Sequence, residues 1–504
     1  MTLENSISVS SEIGTLERII IHSPDGGIGK IVPSKFKDWL YDDTVYLKQM
    51  RKEYNEYVKL LLYFLDPGKI EDIRNCEMEQ KDDRQLDCFK PGHASYFNSD
   101  KVLDVEFLLA KVLRNTAIRE RIIAAVCATE GCSFAIEKQL CNITDEHQLA
   151  KTLITGTLPQ QDSQQSVQFV FQPLPNLIFT RDISVVINNH VLLSKAATEA
   201  RERESLLMRY IVFHELLTDD QNRVIEINES SDFFLLDEAH QVERKTSLEG
   251  GDIMMIAPNH LLVGCSERTT ISAINKIIHA VFKRNTGIEK ISVVKIPSQR
   301  AIMHIDTVFT HVRKDVWVLF GRFSEQLIHE RNQRKFSYYS DMAYSDETFE
   351  GVEIFRFYKP KSDGYNPSAD YRQDVIFKGL EDLLRNISIK DFGVPENEVK
   401  IIYSGNNIFP YDEREQWTDA CNLLALKNGV AIAYDRNEET LKAFQENGFT
   451  VIKTSDLFAK FESGELTPDT VTDTIITLPS NELSRARGGA HCMSLPLLRK
   501  TALS

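Results

Sequence analysis

Near the C-terminal end a cysteine follows a glycine pair, in Leu-Ser-Arg-Ala-Arg-Gly-Gly-Ala-His-Cys-Met-Ser-Leu-Pro (Leu483 to Pro496). A thiol with an ordinary pKa of ~8.5 is mostly protonated at neutral pH, and nearby positive charge lowers that value. Arg485, Arg487 and His491 are therefore the neighbours an activated Cys492 nucleophile would keep. The same residue would serve equally well as a small buried hydrophobe, as most free cysteines do.

Four other segments carry chemistry-capable residues. Phe179-Thr180-Arg181-Asp182 places a carboxylate just before a strand, where it could also be a turn cap. Leu248-Glu249-Gly250-Gly251-Asp252 places two carboxylates at the mouth of a hairpin, with glycines where the backbone turns or approaches a ligand closely. In Met303-His304-Ile305-Asp306-Thr307, alternation along a strand predicts that His304 and Asp306 share one face, which makes them a general acid/base pair or a structurally bonded histidine. Arg201 and Arg268 each follow a predicted hairpin, and a guanidinium grips a carboxylate through two hydrogen bonds. Arg201 reads alternatively as part of a solvated helix face of alternating charge, and Arg268 as one half of a helix-start ion pair. A metal site from His304, Asp306 and Glu249 lacks any paired-histidine spacing, and no metal is expected. A thiol, an imidazole beside a carboxylate, further carboxylates and two arginines together suit a substrate with a cationic head and an anionic tail. An amino acid bearing a guanidinium is the simplest such molecule.

The elements that must position these residues repeat. Hairpins are predicted at Ile183 to Leu193, Ile253 to Gly264, Thr307 to Phe320 and Asn422 to Tyr434, with turns at Asn188-Asn189, Pro258-Asn259, Arg313-Lys314 and Asn428-Gly429. A helix at Ile271 to Phe282 and a strand at Ile291 to Ile296 follow the second hairpin; a helix at Glu439 to Glu446 and a strand at Phe449 to Lys453 follow the fourth. The unit reads strand, strand, helix, strand, and such units close around a shared axis, as in a propeller-like ring. A strand at Leu16 to His22 and a helix at Val45 to Phe64 would begin the ring. Residues 66–169 read as a helical insertion, with helices at Val102 to Leu113 and Ala117 to Cys127 and a Gln/Ser-rich run at Gln160 to Gln165; 1–65 and 170–504 form the rest. The stretch Lys335 to Tyr371 reads as a surface loop or lid.

With 504 residues and a net charge of −15, the chain can bury a large core and is a poor partner for nucleic acid or an anionic membrane. A small-molecule substrate fits better. The N-terminus lacks a signal-peptide pattern and no apolar run is long enough to span a bilayer, so a cytoplasmic location is expected, and the eight cysteines read as reduced thiols.

Taken in order, LPNLIFTRD (174–182), LEGGD (248–252), VGCSERT (263–269), MHIDTVFT (303–310), EREQWTDACNLLAL (413–426), GVAIAYDRN (429–437) and ARGGAHCMSLPLLR (486–499) resemble the motifs of bacterial arginine deiminases, of the guanidino-modifying superfamily. The resemblance implies an α/β fold, a pseudo-fivefold five-bladed propeller (pentein) with a helical insertion, and hydrolysis of L-arginine to L-citrulline and ammonia without a cofactor. It also implies a homo-oligomer. Carried over by motif, Cys492 attacks the guanidinium carbon and His304 moves the protons. Asp182, Glu249 and Asp306 bind guanidinium nitrogens and Asp252 supports the site. Arg201 and Arg268 take the α-carboxylate, Asn176 positions the amino acid and Arg487 closes over it. The sequence departs from the pattern at Ile183-Ser184-Val185-Val186, where a Cys-Trp pair is expected, at IIIHSP in the first strand, and at Ala490, where glycine is common. Other readings are hydrolysis of a methylated arginine or agmatine, amidino transfer to an amine, and non-catalytic arginine binding.

Overall fold

A computed structural model describes residues 7–79, 89, 99–159, 168–229, 233–237, 239–241, 245–299, 301–325, 352–360, 371–373 and 375–501. Its strands form five small mixed sheets, each built on the same plan of an antiparallel pair with a parallel third strand. In the first, Ser184–Ile187 and His190–Leu193 form a hairpin with Val224–Ile225 parallel to the second strand. In the second, Ile253–Ala257 and His260–Cys265 are joined by parallel Lys290–Lys295. The third joins Phe309–Arg313, Val316–Leu319 and parallel Lys400–Tyr403. The fourth joins Leu424–Lys427, Val430–Tyr434 and parallel Thr474–Leu478.

The fifth sheet is made by the two ends of the chain. Leu495–Arg499 runs antiparallel to Leu16–Ile21, and Val102–Asp104 lies parallel beside the latter. Two expectations are corrected here. Residues 102–104, read as the start of a helix, are a strand, and the helix begins at Val105. In the fourth sheet, Thr450–Lys453 does not join the hairpin directly; Thr474–Leu478 lies between them. Its pattern Thr-Ile-Ile-Thr-Leu is buried at every position, as a central strand requires, whereas Thr450–Lys453 is exposed or half-buried and takes the edge.

The four predicted hairpins are all present, and their turns use the expected chemistry: Asn188 and Gly429 both adopt positive φ. The Leu47–Leu65 helix buries Met50, Tyr54, Tyr57, Val58, Leu61 and Leu65, a stripe at helical spacing, against the fourth and fifth sheets. The Ile271–Lys283 helix is capped by Thr270 and buries Ala273, Ile274, Ile277, Ile278 and Val281. Helices at Val105–Leu113, Thr116–Thr129, Phe134–Cys141 and Glu146–Thr155 occupy the expected helical region and share one buried apolar cluster with the first sheet. Most of 335–371, like Gln160 to Gln165, lies outside the described residues. Its described part departs from the surface-loop reading, because Glu353–Tyr358 pairs with Lys290–Lys295 and widens the second sheet. Among the described residues no helix is long and apolar enough to cross a membrane.

Because Leu16–Ile21 pairs with Leu495–Arg499, removing residues 495–504 strips a buried strand from the fifth sheet. The truncated chain is expected to lose its cooperative thermal transition, as followed by circular dichroism; retention of a sharp transition would show that this pairing is dispensable.

Candidate active site

Every sheet contributes a residue to one place, and always from the same point in the unit, the segment just before the first strand of the antiparallel pair. Asp182 precedes Ser184–Ile187, Glu249 and Asp252 precede Ile253–Ala257, His304 and Asp306 precede Phe309–Arg313, Asn422 precedes Leu424–Lys427, and Cys492 precedes Leu495–Arg499. These segments are tied in a closed ring. Arg181 N donates to Cys492 O at 3.1 Å and Gly250 N to Asp182 O at 3.1 Å. Ile305 N donates to Asp252 Oδ1 at 3.0 Å, Asn422 Nδ2 to Asp306 O at 3.1 Å, and Cys492 N to Asn422 Oδ1 at 2.9 Å. The glycine pairs are what this closeness requires. A Cβ on Gly250 would lie 2.0 Å from Arg181 O, and one on Gly251 would lie 2.7 Å from His304 Nδ1.

One cavity is lined by Asn176, Asp182, Arg201, Glu249, Arg268, His304, Arg487 and Cys492, together with Leu40, Phe179, Met303, Thr307 and Ala486. Asp306 and Asp252 stand directly behind it. The first accepts from Cys492 Sγ at 3.5 Å, and the second holds Ile305 N and Ser266 Oγ. The ten residues to which the resemblance assigns a site role therefore fall on or against one site.

Their pairing differs from the expectation. Residues 305–308 form a helical turn rather than strand, so His304 and Asp306 do not share a face. His304 Nε2 bonds Glu249 Oε2 at 3.0 Å, with Nδ1 3.8 Å from Asp182 Oδ1. Asp306 Oδ2 instead bonds His491 Nδ1 at 2.9 Å. Burial alone would push the His304 imidazole down, but the charges of Asp182 and Asp252 and the bond to Glu249 raise it to about 10. Burial likewise opposes ionisation of Glu249, yet Arg201 and His304 hold it below the usual carboxylate range. Asp252, whose burial outweighs its hydrogen bonds, is raised to about 6.

The setting of the thiol also departs from the sequence reading. Arg485 is on the surface, paired with Asp43 and Glu482. His491 faces Asp306 and Glu12. Burial, then Asp306, Asp182 and Asp419, push Cys492 well above the ordinary thiol range, so the sulfur is held as a neutral donor. Behind it runs a buried chain: Arg181 donates to Glu12 at 3.4 and 3.3 Å, and Glu12 meets His491 Nε2 at 3.3 Å. Glu12, which sequence reasoning missed, carries no local motif, and its partners lie 169 and 479 residues away.

The arginines occupy different stations. Arg487, at φ 63°, has its guanidinium 3.5 Å from the Trp417 ring centroid, a cation–π contact at the cavity edge, and lies 3.7 Å from Asp42. Arg268 is buried, with its Nε lacking an acceptor. Arg201 does not extend toward a distant carboxylate subsite: its NH1 lies 2.6 Å from Asp182 and 3.4 Å from Glu249, and Nε donates to Glu204 at 2.8 Å. Glu204, three residues on and not singled out in the sequence, is fully buried. Asn176 anchors the wall by donating from Nδ2 to Trp39 O at 2.9 Å. Asp182, Glu249 and His304 also converge closely enough to ligate a cation. The group seated against the two carboxylates is the Arg201 guanidinium, whose NH1 lies 2.6 Å from Asp182 and 3.4 Å from Glu249.

A thiol, a protonated imidazole and buried carboxylates gathered at the mouths of five strand pairs are matched by what the chain resembles. The arginine deiminase family model matches residues 105–499. The chain is thus a member of the guanidino-group-modifying (amidinotransferase) superfamily, enzymes acting on guanidino compounds. Within that superfamily it belongs to the arginine deiminase family. It is 28% identical over 513 residues to the arginine deiminase of Borreliella burgdorferi (strain ZS7), covering 98% of both chains. It is 26% identical over 515 residues to that of Listeria monocytogenes (strain EGD-e), covering 99% of each. Among solved structures it is similar to an amidinotransferase of saxitoxin biosynthesis from Microseira wollei, with 12% identity, a TM-score of 0.44, and coverage of 99% of this chain and 98% of that one.

The raised imidazole makes a signed prediction. His304, at about 10 against an ordinary 6.5, stabilises the fold fully below about pH 6.5, and that contribution is lost as pH rises through 10. His22, also raised to about 10 by Asp104 and Asp25 against the effect of burial, acts in the same direction. The denaturant midpoint should therefore fall between pH 7 and 10, and fall less steeply in His304→Gln; an unchanged slope in that variant would contradict the charge assignment.

Proposed function

We propose that the protein is an arginine deiminase that hydrolyses L-arginine to L-citrulline and ammonia through a covalent intermediate on Cys492. The observation that carries this reading is the convergence on one thiol of donor-hungry carboxylates: Asp182 Oδ1 and Asp306 Oδ1 are buried without any hydrogen-bond donor. A planar guanidinium supplies N–H groups in the geometry that carboxylates accept. Placed between Asp182, Glu249 and Asp306, its central carbon is offered to Cys492, and the buried anions fix its orientation.

The cationic substrate offsets the negative charge that keeps Cys492 protonated, and the thiol proton leaves to solvent as the cation docks. The thiolate then adds to the guanidinium carbon. His304, protonated at the outset, donates to one terminal nitrogen, the carbon–nitrogen bond breaks, and ammonia leaves; a thiouronium cation and a neutral imidazole remain. His304 next takes a proton from water while the oxygen adds to the same carbon. The carbon–sulfur bond breaks, citrulline forms, and the hydroxyl proton is released with the sulfur leaving as thiolate. Asp252 holds the backbone at Ile305, so it supports His304 and Asp306 without touching substrate. Arg268, with an unpaired Nε, receives the substrate carboxylate, and Arg487 closes the cavity edge from its seat on Trp417.

The reading extends to the architecture. We take the five sheets as the blades of a five-bladed α/β propeller, with much of 66–169 as a helical insertion that returns one strand, Val102–Asp104, to the fifth blade. Supporting this is the five-link hydrogen-bond ring joining all five strand mouths.

Incubated with L-arginine, the protein should release citrulline and ammonia in equal amounts. Cys492→Ser should abolish turnover, and His304→Ala should slow it by ~10²–10⁴-fold. Acid-quenched enzyme should carry the thiouronium mass on the Cys492 peptide. Turnover surviving in Cys492→Ser, or ammonia without citrulline, would defeat the assignment.

A further inference from the structure

Resting on the reading of this cavity as a guanidinium site, one feature of it has no place in the reaction described above: the guanidinium it holds belongs to the protein itself. Arg201 NH1 takes Asp182 at 2.6 Å and Glu249 at 3.4 Å, NH2 donates to Asn176 O at 3.4 Å, and Nε donates to Glu204 at 2.8 Å. The acceptors lie on all three nitrogens, and the side chain is 5% exposed. With Arg201 in place the cavity measures about 30 Å³, against the roughly 300 Å³ or more of an ordinary ligand pocket. A substrate head group that needs Asp182 and Glu249 must therefore displace a chemically identical group.

We propose that Arg201 is a built-in stand-in for the substrate head group, and that its displacement makes the site selective for guanidines that also carry a carboxylate. Glu204 is the positioning residue. It is fully buried on the Glu202–Ile211 helix, one turn beyond Arg201, and grips Nε rather than the terminal nitrogens. Arg201 can pivot about that bond, surrendering Asp182 and Glu249 while keeping Glu204. Displaced, it becomes a desolvated cation in need of an anion. A substrate with a carboxylate at its far end supplies one, shared with Arg268. A guanidine without a carboxylate expels Arg201 and offers nothing in return, so the cost of an unpaired guanidinium falls on its binding. The exchange also keeps Asp182 and Glu249 paired with a cation before and after substrate arrives.

A plain carboxylate clamp and a stand-in predict different outcomes for one measurement. If Arg201 only grips the substrate carboxylate, removing it weakens L-arginine and leaves agmatine, the decarboxylated relative, unchanged. If Arg201 fills the cradle, removing it opens the cradle to agmatine. Binding is measured calorimetrically in Cys492→Ala protein, which prevents turnover. Arg201→Ala and Arg201→Lys are each expected to bind agmatine at least ~10-fold more tightly than the Cys492→Ala parent, the gain that follows when a competing conformation populated above ~90% is removed. L-arginine binding should weaken, narrowing its preference over agmatine. The lysine variant keeps a cation against Glu204 but is too short to bridge Asp182 and Glu249, so it reports even where the alanine variant fails to fold. Unchanged or weaker agmatine binding in the folded lysine variant, with L-arginine still bound by the parent, overturns the stand-in alone. Failure of the parent and of both variants to bind either ligand overturns the guanidinium-site reading and the stand-in with it.

Discussion

The site depends first on how its negative charge is kept underground. Asp182, Glu249, Asp252, Asp306, Glu12 and Glu204 are all buried within one connected region, each no more than 6% exposed. Taking a carboxylate out of water is tolerable only when cations and hydrogen bonds replace what water gave. Arg201 serves Asp182, Glu249 and Glu204; Arg181 and His491 serve Glu12; His304 serves Glu249. Burial wins at two of these carboxyls: Asp252, with no guanidinium within ion-pair distance, is raised to about 6, and Glu204 is raised to about 7 despite its bond to Arg201. Burial first, and then the neighbouring carboxylates, raise the thiol of Cys492, and the same excess of negative charge raises the imidazole of His304 against its burial. Binding of a cation beside them would offset the negative charge that acts on both groups.

Such a balance requires charges from distant parts of the chain to be held at fixed separations, and the fold supplies this by repetition. Each sheet offers the point where the chain enters its antiparallel pair, and strand pairing leaves that point little freedom. The links between neighbouring units are backbone or short-side-chain hydrogen bonds. Asn422 shows the economy of the arrangement: its amide donates to Asp306 O and its carbonyl accepts from Cys492 N, so one side chain sets both the anion and the sulfur it faces. Glycine at 250, 251 and 489 is the steric counterpart, since a Cβ at any of them would collide with a neighbouring unit.

What could be read from the sequence follows from this geometry. Residues at hairpin mouths announce themselves locally: Glu249 and Cys492 stand by glycine pairs ahead of apolar runs, Asp182 is a carboxylate just before a strand, and His304 stands two residues from Asp306. Pairings do not, because they depend on which mouth faces which. The period-two argument joined His304 to Asp306, but residues 305–308 coil into a turn that sends one toward Glu249 and the other toward Cys492 and His491. Arg485, near the thiol in sequence, is bound to Asp43 at the surface. Glu204 was the most recoverable omission, since an acid three residues after Arg201 on a helix is an ordinary ion-pair spacing; its burial, which changes its meaning, comes from packing. The hairpins were recovered in full because Asn and Gly turns are local signals, whereas the central position of Thr474–Leu478 depends on a long-range pairing.

Distances between catalytic-looking groups do not by themselves make a site. Ser292, His260 and Asp391 stand in line, with Ser292 Oγ 2.8 Å from His260 Nε2 and His260 Nδ1 2.8 Å from Asp391. Yet Ser292 Oγ also accepts from Arg356 Nε at 3.1 Å, Asp391 is paired with Lys290, and burial pushes His260 down to about 4. Ser292, His260 and Asp391 each already have partners within the chain, and His260 and Ser292 are fully buried. Around Cys492 the accounting is left open, with donorless oxygens on Asp182 and Asp306 and an acceptorless nitrogen on Arg268. Buried polar atoms are costly to leave unpaired, and here atoms of opposite need lie on one cavity, where a molecule with donors at one end and acceptors at the other would satisfy them.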